Sequence, residues 1–255
     1  MKKIISYNVN GIRAALGKNL IGWLKQENPD ILLIQETKAQ PNQIETHLFE
    51  ELGYHCHWFS AEKRGYSGVG VLSKEKPDAI VIGVGNDKYD VEGRAMRADF
   101  GDISVLSTYH PSGTTGSIRQ EYKVEWLAYF REYINDLKKK RSKLIIGGDF
   151  NICHKPIDIN KPENKKGVSG FLPEEREWIS QFLEGGFIDS FRVFDQSPEK
   201  YSWWSYRAGA RGKNLGWRID YHMVSEGLRE KLKGASILSD VVHSDHCPIV
   251  VKVDF

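Results

Sequence analysis

Val241-Val242-His243-Ser244-Asp245-His246-Cys247-Pro248-Ile249 sets a carboxylate beside an imidazole just ahead of the apolar run Ile249-Val250-Val251, which reads as a closing strand. An imidazole there can hydrogen-bond a carboxylate, stabilise an anion or transfer a proton near neutral pH. Other apolar runs of the chain end in similar polar residues. Ile4-Ile5-Ser6-Tyr7 leads into Asn8-Val9-Asn10-Gly11, and Ile31-Leu32-Leu33-Ile34 leads into Gln35-Glu36. Leu144-Ile145-Ile146 leads into Gly147-Gly148-Asp149-Phe150-Asn151, and Trp217-Arg218-Ile219-Asp220-Tyr221 holds an Asp inside a strand-like stretch. Asn and Asp are ordinary turn residues after a strand, so each segment alone says little. As a set, they suggest strands that end in a shared polar site.

The same reading predicts the fold. Strand-like runs lie at Ile4–Tyr7, Ile31–Gln35, Gly68–Ser73, Ile103–Tyr109, Leu144–Gly147, Arg218–Val224 and Ile249–Val253. Helical stretches lie near Leu16–Gln26, Asn42–Leu52, Arg119–Lys139, Pro173–Glu184 and Glu226–Leu232. Asn28-Pro29-Asp30 ends the first helix, and Pro173 followed by Glu174 and Glu175 is a good helix start. Many strands with few helices predict an α/β protein of two packed sheets with helices outside. Several runs follow one another too closely for the crossover helices of a parallel doubly wound sheet.

A length of 255 residues suits one large domain or two small ones, and no low-complexity linker divides the chain. The formal net charge is only +2, so an anionic partner must be met by local patches. Cys56, Cys153 and Cys247 lie far apart, which argues against a disulfide framework or thiolate metal site and for a reducing cytoplasm. The N-terminal apolar stretch is broken by Ser6, Asn8 and Asn10 and is too short for a membrane span. Gly68-Val69-Gly70 and Gly83-Val84-Gly85 do not fit a phosphate-binding glycine fingerprint and read as turns or bulges. Lys138-Lys139-Lys140-Arg141 reads as the basic last turn of a helix.

Glu36 and Asp220 adjoin strongly apolar residues, where an unpaired carboxylate is costly to bury. A shared cation, an imidazole partner or a water network would offset that cost. Asn8 and Asn10, like Asp149 and Asn151, are two apart and face one side of an extended chain. An oxygen-rich set suits Mg²⁺ or Mn²⁺ better than zinc. Glu36 is the best direct ligand, with Asn10 and Asp245 weaker or water-mediated. Such a site suits hydrolysis of a phosphate ester.

These residues carry a family resemblance. Asn8-Val9-Asn10-Gly11-Ile12-Arg13, Gln35-Glu36-Thr37-Lys38, Gly65-Tyr66-Ser67-Gly68, Tyr109-His110-Pro111-Ser112-Gly113, Gly148-Asp149-Phe150-Asn151, Gly216-Trp217-Arg218-Ile219-Asp220-Tyr221 and Ser244-Asp245-His246-Cys247-Pro248-Ile249 occur in that order. From Lys3 to Val253 the chain resembles the exonuclease III family of class II AP (apurinic/apyrimidinic) endonucleases, within the deoxyribonuclease-I-like superfamily. The resemblance implies one catalytic domain over residues 1–255, a four-layered α/β sandwich of two mixed sheets packed face to face. It implies Mg²⁺, with Mn²⁺ able to substitute, bound by Glu36 with help from Asn10 and with Asp245 serving the metal. Asp149 would activate or orient the attacking water, with Asn151 beside it and Asn8 supporting the network. His246, oriented by Asp220, would contact the phosphate, and Tyr109 would touch the phosphate or the leaving oxygen. Asn10 stands where many members carry Asp, and Ser112 where many carry Asn.

The aromatic stretch Tyr201-Ser202-Trp203-Trp204-Ser205-Tyr206 reads first as core, with Trp204 alternating like a buried strand residue. Trp203, Trp217 and Ile219 suit the walls of a small apolar pocket, which by resemblance takes an extruded base-less sugar. Arg207 and Arg211 suit phosphate contacts or a wedge into the duplex. Lys63, Arg64 and Tyr66, with Lys38 near the metal site, form a second contact zone, and Ser112 adds a polar contact; Lys165 and Lys166 are a third zone or an exposed charged loop. The expected partner is duplex DNA with abasic sites or 3′ ends, bound by a monomer without a membrane. The alternatives are a superfamily phosphatase or phospholipase acting on a small phosphoester, and a DNA-binding module without catalysis.

Overall fold

The computed structural model describes residues Met1–Phe255. In chain order the strands are β1 (Lys2–Asn8), β2 (Ile31–Gln35), β3 (His55–Phe59), β4 (Val69–Ser73), β5 (Ala79–Ile82), β6 (Ala95–Phe100) and β7 (Ile103–Tyr109). They continue with β8 (Lys143–Asp149), β9 (Phe187–Asp189), β10 (Trp203–Trp204), β11 (Gly216–Trp217), β12 (Asp220–Ser225), β13 (Leu232–Ile237) and β14 (Ile249–Val253). Two six-stranded sheets form, ordered β13-β14-β1-β2-β4-β3 and β5-β6-β7-β8-β12-β9, and β10 pairs with β11. Each large sheet is mixed: β1–β2 and β7–β8 run parallel and their other pairings are antiparallel.

The continuous apolar runs explain the layering. A strand covered on both faces is apolar throughout, and alternate residues serve opposite faces. Ile4, Leu33, Ile145 and Val251 point between the sheets into one core with Val71, Val105 and Val224. Their neighbours Ile5, Leu32, Ile34 and Val250 join Leu20, Leu24 and Phe49 on the outer face of the first sheet, where α1 (Ile12–Leu16), α2 (Leu20–Glu27) and α3 (His47–Glu50) lie. After α4 (Asp87–Asp90) come α5 (Ser117–Lys140) and α6 (Pro173–Glu184), then α7 (Ser190–Phe194). Leu144, Ile146 and Met223 pack outward from the second sheet against Trp126, Phe130 and Ile134 of α5 and Ile179 and Phe182 of α6. The expected four-layered sandwich is what the chain forms.

Several boundaries differ from the sequence reading. The expected helix at Leu16–Gln26 begins only at Leu20, after Asn19 in the left-handed conformation at φ 67°, and a separate short helix, α1, precedes it and ends at Leu16. Asn42–Leu52 is a 3₁₀ turn (Pro41–Gln43) followed by the single turn of α3, because Ile44 is extended between them. Glu226–Leu232 is a 3₁₀ segment (Glu226–Lys231) that runs into β13, and β12 begins only at Asp220. Strands β3, β5, β6, β9 and β13 and the two-residue strands β10 and β11 were not anticipated. Of these, β3, β5 and β13 are edge strands, mostly half-exposed or exposed; β3 and β13 carry polar residues along their length, β5 is a run of only four apolar residues, β6 is broken by Arg97 and Asp99, and β9 is three residues long. The basic run does close α5: Lys138 donates to the Gly185 carbonyl at 2.5 Å, and Arg141 to that of Gly101 at 2.7 Å.

Register brings the polar strand ends together. Asn8 pairs with Gln35 across β1–β2, so Glu36 follows immediately beside it. Tyr109, Asp149 and Asp220 form one row across β7, β8 and β12. A single bridge between Trp203 and His246 ties the aromatic loop to the Ser-Asp-His segment.

Candidate active site

Asn10, Glu36, Lys38 and Asn151, at this end of the sandwich, have left-handed backbones with φ between 46° and 53°. Such conformations are sparsely populated and tend to gather at functional sites. They turn the chain sharply after β1, β2 and β8 and aim adjacent side chains into one cleft.

Asp149 is buried at its centre. Its Oδ1 accepts the Asn151 backbone N–H at 2.8 Å; its Oδ2 accepts Asn8 Nδ2 at 2.9 Å and Asn151 Nδ2 at 3.2 Å. Asn8 also donates to Glu36 Oε1 at 2.8 Å, so one amide links the two carboxylates. Asn151 is held from behind by the His110 carbonyl at 2.9 Å. His246 Nδ1 contacts Asp220 Oδ2 at 2.9 Å, and the opposite nitrogen lies 3.8 Å from Asp149 Oδ2. Asp220 is in turn fixed by the Ser202 hydroxyl at 2.6 Å.

Burial opposes a charge on His246, but Asp220 and then Asp149 outweigh it and raise the imidazole to about 10. Asp220 and Asp149 on either side thus favour the protonated ring. Burial pushes the Asp149 carboxyl upward; His246 opposes the shift, while Asp220 and Glu36 add to it. Burial, then the charge of Glu36, keeps the Tyr109 phenol protonated, so it faces the cleft as a donor.

Donor atoms of Glu36, Asp149 and His246 all lie within 4.8 Å of one another, a cluster able to hold a metal ion. A cationic His246 is a poor ligand, which leaves Glu36, the less buried carboxylate, as the open one. The corner beside it already attracts positive charge: the Lys38 ammonium sits 2.7 Å from Glu36 Oε2 and also bonds Asn10 Oδ1. The oxygen donors thus fit a hard cation.

Asp245 lines the same cleft as Glu36, Asp149 and His246. Its two oxygens accept Asn10 Nδ2 at 2.8 Å and Trp203 Nε1 at 3.0 Å, so it braces Asn10 and a pocket wall. Trp203 and Trp217 meet edge to face with centroids 5.9 Å apart, and with Ile219 they pack on Cys153, Ile159 and Phe171. Trp204 is buried, as its alternation predicted. The two Trp walls, Ile219, Ser112 and the Val168–Gly170 loop enclose a cleft of about 390 Å³ together with Glu36, Tyr109, Asp149, Asn151 and His246. A larger cleft of about 580 Å³ between Tyr201 and Asp240 holds none of these five, so the chemistry belongs to the smaller one.

Other expected DNA contacts are scattered. Arg64 and Arg207 are exposed, the latter in a 3₁₀ turn with Ala208 left-handed. Arg211 is not a free cation: its guanidinium donates to the carbonyls of Ser239, Val241 and Ser244 and holds the segment that leads to His246. The Tyr66 hydroxyl accepts from Arg94 at 2.8 Å and Arg119 at 2.6 Å, and the Lys63 ammonium lies 5.2 Å from its ring centroid. The sequence reading missed Ser202, Arg94 and the buried pair Lys123–Glu175. A lone Ser or a charged residue within a helix gives no signal until its partner is known.

The chain belongs to the endonuclease/exonuclease/phosphatase family, whose model matches residues 5–246. It is 43% identical over 254 residues to an exodeoxyribonuclease of Bacillus subtilis, covering 99% of both chains. Among solved structures it is similar to an AP endonuclease from Archaeoglobus fulgidus, at TM-score 0.92 and 32% identity with 100% of both chains covered. It is also similar to the 3′ phosphatase NExo from Neisseria bound to a product DNA hairpin, at TM-score 0.93 and 28% identity, again with 100% of both chains covered. No helix of this chain is long and apolar enough to cross a membrane.

Proposed function

We propose that this chain is a DNA-repair nuclease that hydrolyses the phosphodiester 5′ to an abasic site in duplex DNA, with 3′→5′ exonuclease and 3′-phosphatase action at strand ends. One observation carries the reading: the polar set built for a phosphate shares a single cleft with an apolar pocket of Trp203, Trp217 and Ile219. A base-less sugar fits such walls better than a nucleotide still bearing its base, and it flips out cheaply because its stacking is already lost. The relatives are an exodeoxyribonuclease, an AP endonuclease and a 3′ phosphatase, whose reactions all hydrolyse a phosphate ester.

In this reading Asp149 accepts the proton of the attacking water, and Asn8 and Asn151 fix the carboxylate in line with the phosphorus. His246 places a positive N–H on a phosphate oxygen, and Asp220 keeps that ring charged and oriented. Tyr109 donates to the phosphate or the leaving oxygen. Glu36 and the Asn10 carbonyl oxygen would hold Mg²⁺, with Mn²⁺ as substitute. When bound, the ion supplies Lewis-acid stabilisation of the charge on the phosphate. Arg207, Arg64, Lys38, Ser112 and the Tyr66 ring contact the duplex, and the chain acts as a monomer in the cytoplasm.

End-labelled duplexes, abasic, nicked and intact, incubated with Mg²⁺, Mn²⁺ or EDTA, test the proposal. Mg²⁺-dependent cutting 5′ to the abasic site is expected. Turnover of inositol phosphates with the abasic duplex left whole would favour a superfamily phosphatase. Tight DNA binding with no cutting in any metal would favour a non-catalytic module. Glu36→Gln should raise the Mg²⁺ concentration for half-maximal cutting by at least about tenfold, since the site loses its open carboxylate charge. A metal titration that superimposes on wild type would remove Glu36 from that role.

A further inference from the structure

Lys123 of α5 and Glu175 of α6 are fully buried and meet at 2.6 Å. A buried ion pair is weak evidence for stability, because apolar residues of similar volume often do as well. Its other bonds are more informative. Lys123 Nζ donates to the Asn151 carbonyl at 2.8 Å. Glu175 Oε2 accepts the backbone N–H of Gly170 at 2.6 Å and of Leu172 at 2.9 Å. Gly170 is left-handed at φ +94°, and a Cβ there would lie 2.9 Å from the Trp217 ring and 3.1 Å from the Asn151 carbonyl oxygen. The Gly170 backbone is therefore wedged between a pocket wall and the carbonyl that Lys123 holds.

We propose that Lys123 and Glu175 are positioning residues that lock the hydrolytic half of the cleft to its apolar half. Lys123 fixes the strained Asn151 turn through its carbonyl, and through it the amides on Asp149. Glu175 fixes the pocket rim through Gly170, and the ion pair sets the distance between the two. The proposal rests on the reading of this cleft as the phosphodiester site. Neither side chain reaches the cleft, so each acts by placing others, where a shift of about 1 Å can cost on the order of 10²-fold in rate.

Three variants separate positioning from plain stability: Lys123→Arg, Lys123→Met, and Lys123→Met with Glu175→Gln, which leaves no unpaired buried charge. In each, unfolding by urea, kcat and KM on the abasic duplex, and hydrogen exchange at the Asn151 and Gly170 amides are measured. Lys123→Met should lose at least about tenfold in kcat with KM within about twofold, and Lys123→Arg should recover most of it. The double variant should regain stability yet stay slow. Wild-type kcat in the double variant would overturn the proposal, because the pair would then be structural only. The exchange arm stands whatever the substrate: Asn151 and Gly170 should exchange at least about tenfold faster in Lys123→Met while Ile145 is unchanged. Unchanged exchange at both would also overturn it. A wild-type protein that fails to cut duplex DNA would instead count against the proposed function.

Discussion

Asp149→Asn should lower the rate of cutting at an abasic site by about 10²–10⁴-fold, the usual scale of a lost general acid–base group, while the duplex still binds. The wild-type carboxylate is acceptor only, and its oxygens receive Asn151 N, Asn8 Nδ2 and Asn151 Nδ2. An asparagine that keeps its oxygen toward the Asn151 backbone must set its own NH₂ against two other amides. The network then rotates, and no group remains to take a proton from water. The change also reaches His246, because Asp149 is, after Asp220, the next charge that holds the imidazole cationic. The fold should survive, since one disturbed buried hydrogen-bond set costs about 1–3 kcal/mol. Single-turnover cleavage and a gel shift on the same abasic duplex read the two halves separately. Cutting at close to the wild-type rate would remove Asp149 from water activation.

The polar site was legible because each of its main members ends or begins an apolar strand. Asn8, Glu36, Asp149 and Asp220 sit at such points, and the strand registers carry them to one end of the sandwich. What pairs with what was less legible. Adjacency alone would pair Asp245 with His246; the family resemblance instead set Asp220 on His246, and the ring does meet Asp220 while Asp245 bonds Asn10 and Trp203. A two-residue periodicity sends neighbours to opposite sides, so adjacency on an extended segment argues against partnership. Arg211 has a second role that its sequence position did not show. A cation in a loop looks free in sequence, but here three carbonyls of a facing loop would lack donors without it. Edge strands such as β3 and β13 escaped because solvent covers one side and polar residues interrupt the apolar run.

Arg218→Ala should destabilise the protein by about 3–5 kcal/mol at neutral pH, the scale for removing one partner of a buried pair. Arg218 is buried beneath Trp217, Ile219 and Asp220, and it donates to Asp158 Oδ1 at 2.8 Å and to Asp189 Oδ2 at 2.6 Å. Truncation leaves two buried carboxylates, and Asp158 keeps Arg192, at 2.7 Å, as its remaining cation. The penalty should depend on pH in a fixed direction. Burial alone would raise the Asp158 carboxyl, but Arg218, and then Arg192, hold it below its ordinary 3.8. A depressed folded value means that the stabilisation is complete above the unfolded value and is lost as pH falls through the folded one. In the variant that depression is largely gone. The gap in stability between the two proteins should therefore be full at neutral pH and should narrow on acidification below 3.8. Urea unfolding at neutral and acid pH measures it. A gap that widens in acid would mean that Asp158 is not charged against Arg218 in the folded protein. The effect also reaches the site, because Arg218 lies in the segment that supplies a pocket wall and the carboxylate on His246. Cutting by the residual folded fraction should fall as well, and the Trp203–Trp217 contact should loosen before the sheets do.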